Sequence, residues 1–247
     1  MSNSYFKVLR AGINTTFQDK GRNNLYHIGI PFSGAMDKRN FLIANKLVGN
    51  NLIEACIEFA YQGPLFEIFG GTIVCAITGN VSFKIFRKNS LEEEGRCYES
   101  FILKEGDKID ILSTNKSVYG YFAIGAQIDL ELQWKSCSIN TKAKIGSNDG
   151  KKIMNGQEIQ IKKISKNYSK KKLNYFNSKI EKIRVIKGTN YDYFSEKGKK
   201  NFFEKEFIVS KISDRMGMRL EGPKIENIFD TNIKYEGLLK GVIQIPA

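Results

Sequence analysis

Two polar, glycine-punctuated blocks hold the residue types that chemistry requires. The first, Thr15 to Asp37, gathers Gln18, Asp19, Arg22, His27, Ser33, Gly34 and Asp37 into a span with few apolar residues. The second, Ser213 to Pro246, carries Ser213, Asp214, Arg215, Arg219, Glu236 and Gln244. Glycine and proline in such stretches let the backbone turn tightly and approach a ligand. The charges of Asp19 and Arg22 suit either an ion pair that pins a loop or a fork onto a substrate carboxylate, with the aspartate as acceptor or base. Gln18 could donate to a developing oxyanion or simply satisfy turn backbone. Ser33 and Gly34 are placed beside the site, and Asp37 reads as a helix cap before it reads as a catalytic acid. His27, between Tyr26 and Ile28, is expected to be a packed, hydrogen-bonded ring. Asp214, Arg215 and Arg219 lean toward a ligand, with Met216-Gly217-Met218 packing closely around them. Glu58 follows an apolar run and reads as a carboxylate in a polar pocket or a paired strand charge. Glu236 and Gln244 are candidates of the same kind.

Several familiar machineries are excluded by pattern. No GxxxxGK[ST], GxGxxG or GxSxG string occurs, and one histidine rules out HExxH. Four scattered cysteines without a CxxC predict free, inert thiols, with Cys56 and Cys75 buried, and no metal site. The formal charge of +13 raises a nucleic-acid reading. Much of the excess, however, falls between Lys151 and Lys172 among Asn, Ser and Tyr, without amphipathic order, as in a solvated linker. No nucleic-acid-binding signature accompanies it, and the charge equally suits an acidic partner or an anionic substrate. No run spans a bilayer, and the N-terminus lacks a signal peptide's pattern, so a cytoplasmic protein is expected. The blocks are therefore read as serving a small molecule.

The elements that must position these blocks are mostly strands. Val81–Ile85, Lys108–Ile111 and Glu158–Lys162 alternate apolar and polar residues, as half-buried strands do. Thr72–Ile77 and Val118–Ile124 are nearly continuous apolar runs, suited to burial on both faces. Glu105-Gly106-Asp107 and Asn155-Gly156-Gln157 are turns directly before strands. One helix is predicted from an Asp37 cap to a Gly49 stop, with Phe41, Ala44 and Val48 on one face and Leu42 and Leu47 near it. A shorter helix is expected between Asn190 and Gly198, and strands at Ile183–Gly188 and Phe207–Val209. The spacing of strands predicts a mainly β, barrel or sandwich architecture. Two units are expected, 1–175 with a basic linker at its end, and 176–247.

Taken together, the strings resemble a known family. These are Thr15-Thr16-x-Gln18-Asp19-x-Gly21-Arg22, His27-x-Gly29-x-Pro31-x-Ser33-Gly34-Ala35-Met36-Asp37, Ala44–Asn50, Ser213-Asp214-Arg215-Met216-Gly217-x-Arg219-Leu220-x-Gly222-Pro223, and Gly241–Pro246. The chain resembles the biotin-dependent carboxyltransferase family from residue 7 to residue 247. That family takes in the C-type subunits of 5-oxoprolinase, second subunits of allophanate-hydrolase type, and part of urea carboxylase. The resemblance implies tandem cyclophilin-like β-barrels with few short helices. It implies a subunit of an ATP-dependent 5-oxoprolinase that opens 5-oxoproline to glutamate with A-like and B-like companion subunits. In that role Arg22 and Arg215 would orient anionic groups, Gln18 and backbone amides would polarise the carbonyl, and Asp19 or Asp214 would handle protons. ATP would act through the complex. A second implied reading is carboxyl transfer to urea or a related amide, with biotin on a separate carrier because no Met-Lys-Met string is present. A third is a regulatory subunit that binds a companion and counters inhibition of a kinase.

The chain departs from the family pattern at Gly125-Ala126-Gln127, Lys135-Ser136-Cys137-Ser138-Ile139 and Gly188-Thr189-Asn190. Family members also continue past the Ile243-Gln244-Ile245-Pro246 string into a further glycine-rich segment, so the second barrel is expected to be incomplete.

Overall fold

The computed structural model describes residues 4–164, 169–174, 180–229 and 241–245. The chain divides into two compact units, Met1–Phe176 and Asn177–Ala247.

The first unit runs β1 (Tyr5–Arg10), β2 (Thr16–Gln18), α1 (Lys38–Val48), β3 (Cys56–Ala60), β4 (Leu65–Phe69), β5 (Thr72–Thr78), β6 (Val81–Phe86) and β7 (Glu92–Glu94). It continues through β8 (Ser100–Lys104), β9 (Lys108–Thr114), β10 (Tyr119–Ile124), β11 (Ala126–Ile128) and β12 (Glu158–Ile164). These strands form a seven-stranded sheet in the order β11-β12-β1-β4-β9-β6-β7 and a five-stranded sheet in the order β2-β3-β10-β5-β8. Their pairings are antiparallel. The mainly β architecture expected from strand spacing is the one observed.

The alternating segments sit on the larger sheet and put their apolar side into the core, where Phe6, Phe66, Phe83, Ile109 and Ile159 are buried. The smaller sheet contributes Ile57, Ile73, Ile77 and Phe122 to the same core. Rings of Phe6, Phe66 and Phe122 meet at centroid distances of 5.7 to 5.8 Å across the two sheets. The two continuous apolar runs, β5 and β10, are buried on both faces. On their second face Val74, Ala76, Tyr121 and Ala123 pack against Phe41, Ala44, Leu47 and Val48 of α1. Asp37 caps that helix by accepting from the Asn40 amide at 3.0 Å. Gly49 ends it in the left-handed region at φ 79°. Leu42 falls outside the buried stripe, on the solvent side of the helix.

In the second unit α2 (Glu196–Glu204) is capped by Ser195, and β13 (Ile208–Val209) pairs with β14 (Leu220–Glu221). The short helix expected from Asn190 begins instead as a single 3-10 turn, Tyr191–Tyr193, with the α-helix starting at Glu196. The strand expected at Ile183–Gly188 does not form. Ile183 and Ile186 there are 85% and 95% exposed. An apolar pattern without a face to bury against carries no ladder, because strand preference reflects packing more than backbone.

All four cysteines are free thiols. Burial pushes the pKa of Cys56 and Cys75 well up, and that of Cys97 to about 11. A thiol held neutral in the fold ionises near 8.5 once the chain unfolds. Its contribution is therefore whole below about 8.5 and is lost as pH rises toward the folded value. Thermal midpoints should fall from about pH 8.5 to 11, and Cys97→Ser should flatten part of that fall; a midpoint steady through this range would contradict the assignment. In the core, Phe122→Ala should cost about 3–5 kcal/mol in urea unfolding, the loss of a ring packed against two others.

Candidate functional site

The first block folds back on itself. The Arg22 amide donates to the Phe32 carbonyl at 2.7 Å and the Ala35 amide to the Asp19 carbonyl at 3.0 Å. Gly21 and Gly34 meet at this crossing. A Cβ on Gly34 would lie 2.9 Å from the Gly21 Cα, and both residues have positive φ, so neither position admits a side chain.

Asp19 is buried, and its carboxylate accepts five donors. The Gly21 amide (2.8 Å) and the hydroxyls of Ser136 and Ser138 (each 2.6 Å) reach Oδ1; the Cys137 amide (2.9 Å) and thiol (3.4 Å) reach Oδ2. Arg22, also buried, addresses the same segment through its carbonyls. Nε donates to Gln133 O (3.1 Å), Nη1 to Ser138 O (2.8 Å) and Nη2 to Ser136 O (3.3 Å). Burial pulls the Arg22 guanidinium below its ordinary pKa range, and the nearby Asp19 carboxylate acts in opposition. The two side chains therefore grip residues 133–138 together, one through donors and the other through acceptors. Gln18 donates to Thr16 Oγ1 (3.0 Å) and to Ile139 O (2.9 Å), which is the backbone-satisfying alternative, not a free oxyanion donor. Gln18 Oε1 and Ser33 Oγ are buried without a partner among the described residues.

A second buried carboxylate sets the entry to α1. Glu58 Oε2 accepts from the Met36 amide (2.9 Å) and from the Tyr121 hydroxyl (2.7 Å), which itself accepts from the Asp37 amide (2.7 Å). Burial raises the Tyr121 pKa, keeping the phenol a donor. Glu58 is thus a buried strand carboxylate engaged by an amide and a phenol.

Between these supports lies a cleft of about 210 Å³, lined by Asp19, Lys20, Asn23, Phe32, Ala35, Lys38, Phe41, Leu42 and Ile53. Lys38 Nζ stands 5.0 Å from the centre of the Phe32 ring. Apolar walls with two exposed ammonium groups suit a small anionic molecule. Of the site residues expected from sequence, Asp19 alone lines this cleft; Gln18, Arg22, Asp37 and Glu58 build its supports. Lys20, Asn23 and Lys38 escaped notice because they are unremarkable polar residues between motif positions. The spacing of Ser136 and Ser138 in an otherwise departing stretch was the available signal for Asp19's partners. His27 is exposed on a 3-10 turn, Tyr26–Ile28, with no burial to pack the ring, which corrects the expected packed histidine.

In the second unit the polar block closes on itself. Asp214 Oδ1 accepts from the amides of Met216 (2.7 Å) and Gly217 (3.3 Å), and the Ser213 hydroxyl accepts from the Arg219 amide (2.9 Å). Arg215 is half-buried, and Arg219 and Gln244 are exposed. Met216 and Met218 are 66% and 67% exposed, in place of the close packing expected of them. Glu236 lies outside the described residues.

Among the described residues no cluster of His, Cys, Asp or Glu could hold a metal, and no helix is long and apolar enough to cross a membrane. Among the described residues the cleft does not fit a nucleotide. The cleft is smaller than the roughly 300–1,000 Å³ typical of ligand pockets. A wider groove of about 460 Å³ carries Lys46, Lys170, Lys171 and Lys172. There, Lys170 and Lys172 are drawn to Glu99 and Lys171 to the Lys46 carbonyl.

A family model described as the carboxyltransferase domain, subdomains A and B, matches residues 28–247. The chain belongs to this carboxyltransferase family. It is 30% identical over 244 residues to the C-type subunit of 5-oxoprolinase from Escherichia coli K12, covering 97% of this chain and 76% of that protein. It is 28% identical over 239 residues to urea amidolyase of Saccharomyces cerevisiae, covering 88% of this chain but 12% of that much longer protein. The crystal structure of the Kluyveromyces lactis urea amidolyase superposes with a TM-score of 0.76 at 25% identity, over 92% of this chain and 14% of that one.

In this chain Asp19→Ala should cost about 3–5 kcal/mol of stability in urea unfolding, since it leaves the Arg22 cation and the Ser136–Ser138 donors buried without their counterpart. Arg22→Lys should not recover the wild-type midpoint, because one ammonium cannot span three carbonyls. Full stability of both variants would mean that the grip on residues 133–138 contributes little.

Proposed function

We propose that the chain is a subunit of an ATP-dependent 5-oxoprolinase-type amidohydrolase that opens 5-oxoproline to glutamate together with A-like and B-like companion subunits. The observation that carries this reading is the 30% identity to the C-type subunit of the E. coli 5-oxoprolinase, sustained over 97% of the chain. The cleft supports it in chemistry. 5-Oxoproline is a compact ring bearing a carboxylate, and Phe32, Ala35, Phe41 and Ile53 offer it apolar walls while Lys20 and Lys38 offer cations.

In this proposal Lys20 and Lys38 hold the substrate carboxylate and Asn23 faces the lactam. Asp19 and Arg22 maintain the wall behind them. A carboxylate already accepting five donors gives up hydrogen bonds if it takes a proton, so Asp19 is assigned to positioning before proton transfer. Ser33, Gly34 and Gln18 shape the same wall, and Asp37 and Glu58 fix the helix that closes it. Ser213, Asp214, Arg215, Arg219, Glu236 and Gln244 are proposed as substrate-binding residues of the second unit, taken by itself. Nucleotide binding is assigned to the companion subunits, and the protein to the cytoplasm.

A second reading, carboxyl transfer to urea with biotin on a separate carrier, is favoured by the urea amidolyase similarity in sequence and in structure. Reconstitution with the companion subunits separates the two. Glutamate should appear from 5-oxoproline and ATP, untouched by avidin. Lys20→Ala and Lys38→Ala should each raise KM about tenfold with kcat nearly unchanged, since they remove ground-state carboxylate binding. Avidin-sensitive consumption of urea, with no glutamate formed, would establish the second reading instead. Tight association without turnover of either substrate would point to a regulatory binding subunit.

A further inference from the structure

The segment held by Asp19 and Arg22 ends in an unusual tip. Gln133 and Ser136 exchange both backbone hydrogen bonds, at 3.0 and 3.2 Å, around a two-residue turn formed by Trp134 and Lys135. Both residues are left-handed, with φ of 50° and 61°. Tight hairpins of this kind ordinarily use Asn-Gly or Gly-Gly, because bulky side chains are strained there. The strain is sustained by the grip beneath it: Arg22 holds the carbonyls of Gln133 and Ser136, and Asp19 holds the Ser136 hydroxyl and the Cys137 amide.

What the strained turn displays is the chain's one tryptophan, 49% exposed, next to Leu132 at 65%. A second hairpin stands beside it. Asn140 and Ile145 exchange backbone bonds around exposed Thr141–Lys144, and the Gly146 amide donates to Gln133 Oε1 at 2.8 Å, tying the two hairpins together. Lys135, Lys142 and Lys144 thus belong to the same pair of linked tips as Leu132 and Trp134. An aromatic anchor, rigidly pre-set and sharing its tips with Lys135, Lys142 and Lys144 as well as Glu131, has the composition of a protein-binding hot spot. Holding it in place beforehand removes ordering cost from association.

Resting on the 5-oxoprolinase-type reading, we propose that these paired hairpins dock the chain onto a companion subunit, Trp134 entering an apolar pocket edged by carboxylates that meet the lysines. A single-stranded nucleic acid is the weaker match, because it calls for a succession of stacking platforms and the tips present one. Asp19 and Arg22 are then positioning residues for assembly.

The single tryptophan allows a direct test. With 5-fluorotryptophan incorporated into this chain alone, its one fluorine resonance should shift or broaden when the unlabelled companion subunit is added, and stay put with an oligothymidine of about 20 nucleotides, long enough to cover a single-strand site. Trp134→Ala should weaken subunit affinity at least about thirtyfold, as loss of a central aromatic anchor does. Lys135→Ala together with Lys144→Ala should slow association and reduce its salt dependence. Lys135→Gly, which relieves the left-handed strain, should raise the thermal midpoint without improving affinity. If the complex forms and turns over 5-oxoproline while the resonance is unmoved, this docking surface is wrong and the functional reading survives. If the resonance moves and no lactam is opened, the surface stands and that reading falls. A response to the oligonucleotide alone, or no complex at all, overturns the surface.

Discussion

The burial of the Asp19 carboxylate is the constraint on which the rest of the first unit's site depends. A charge removed from water is tolerated only when its hydrogen-bonding capacity is filled, and here the filling groups come from Ser136 and Ser138, 117 and 119 residues further along the chain. Satisfying one side chain therefore fixes a long-range contact. Arg22 completes the arrangement, because the carbonyls of the same segment would otherwise be buried without donors. Once both ends are engaged, the backbone between Asp19 and Arg22 has one path open to it, and the contact of Gly21 with Gly34 follows from that path. The cleft lined by Lys20 and Asn23 is the outer surface of this crossing.

Glu58 plays the corresponding part for the opposite wall. It projects from β3, where its pairing with Tyr121 on one side and Thr16 on the other places it between strands. Its oxygen and the Tyr121 hydroxyl take the amides of Met36 and Asp37, so the sheet itself dictates where α1 begins. The Asp37 cap then satisfies the next free amide. Two buried carboxylates, one on each side of the cleft, thus translate the sheet's geometry into the separation of Lys20 and Lys38. Neither needs to touch a substrate to control how well one fits.

This division explains what was legible in the sequence. The helix from Lys38 to Val48 was readable because its cap, its apolar stripe and its glycine stop are all local. The strands were readable because alternation and continuous apolar runs report burial on one face or two. Asp19, Arg22 and Glu58 stood out by type, but their partners could not, since Ser136, Cys137 and Ser138 acquire meaning only when a distant carboxylate arrives. Ile183–Gly188 misled for the complementary reason: its pattern is right for a strand, and what it lacks is a surface to cover. The same holds at Met216 and Met218, where the turn is closed by Asp214's own carboxylate and needs no packed methionines. His27 had no pattern behind it beyond apolar neighbours, and two neighbours do not make a core.

The motif that marks the family is therefore largely consumed in holding the backbone. Gln18, Asp19 and Arg22 spend their hydrogen bonds on Ile139 and on residues 133–138, and Asp37 spends its own on Asn40. Groups used in this way can be shared by proteins acting on different amides, because they define a shape and leave its lining open. Discrimination between substrates has to reside in side chains that project from the held backbone without being needed to hold it. On the proposed function those in the first unit are Lys20, Asn23 and Lys38, which line the cleft outside the fixed positions of the recurring strings. On the same proposed function, a change of substrate would come from the residues between motif positions, while a change in the motif itself would alter whether the cleft exists.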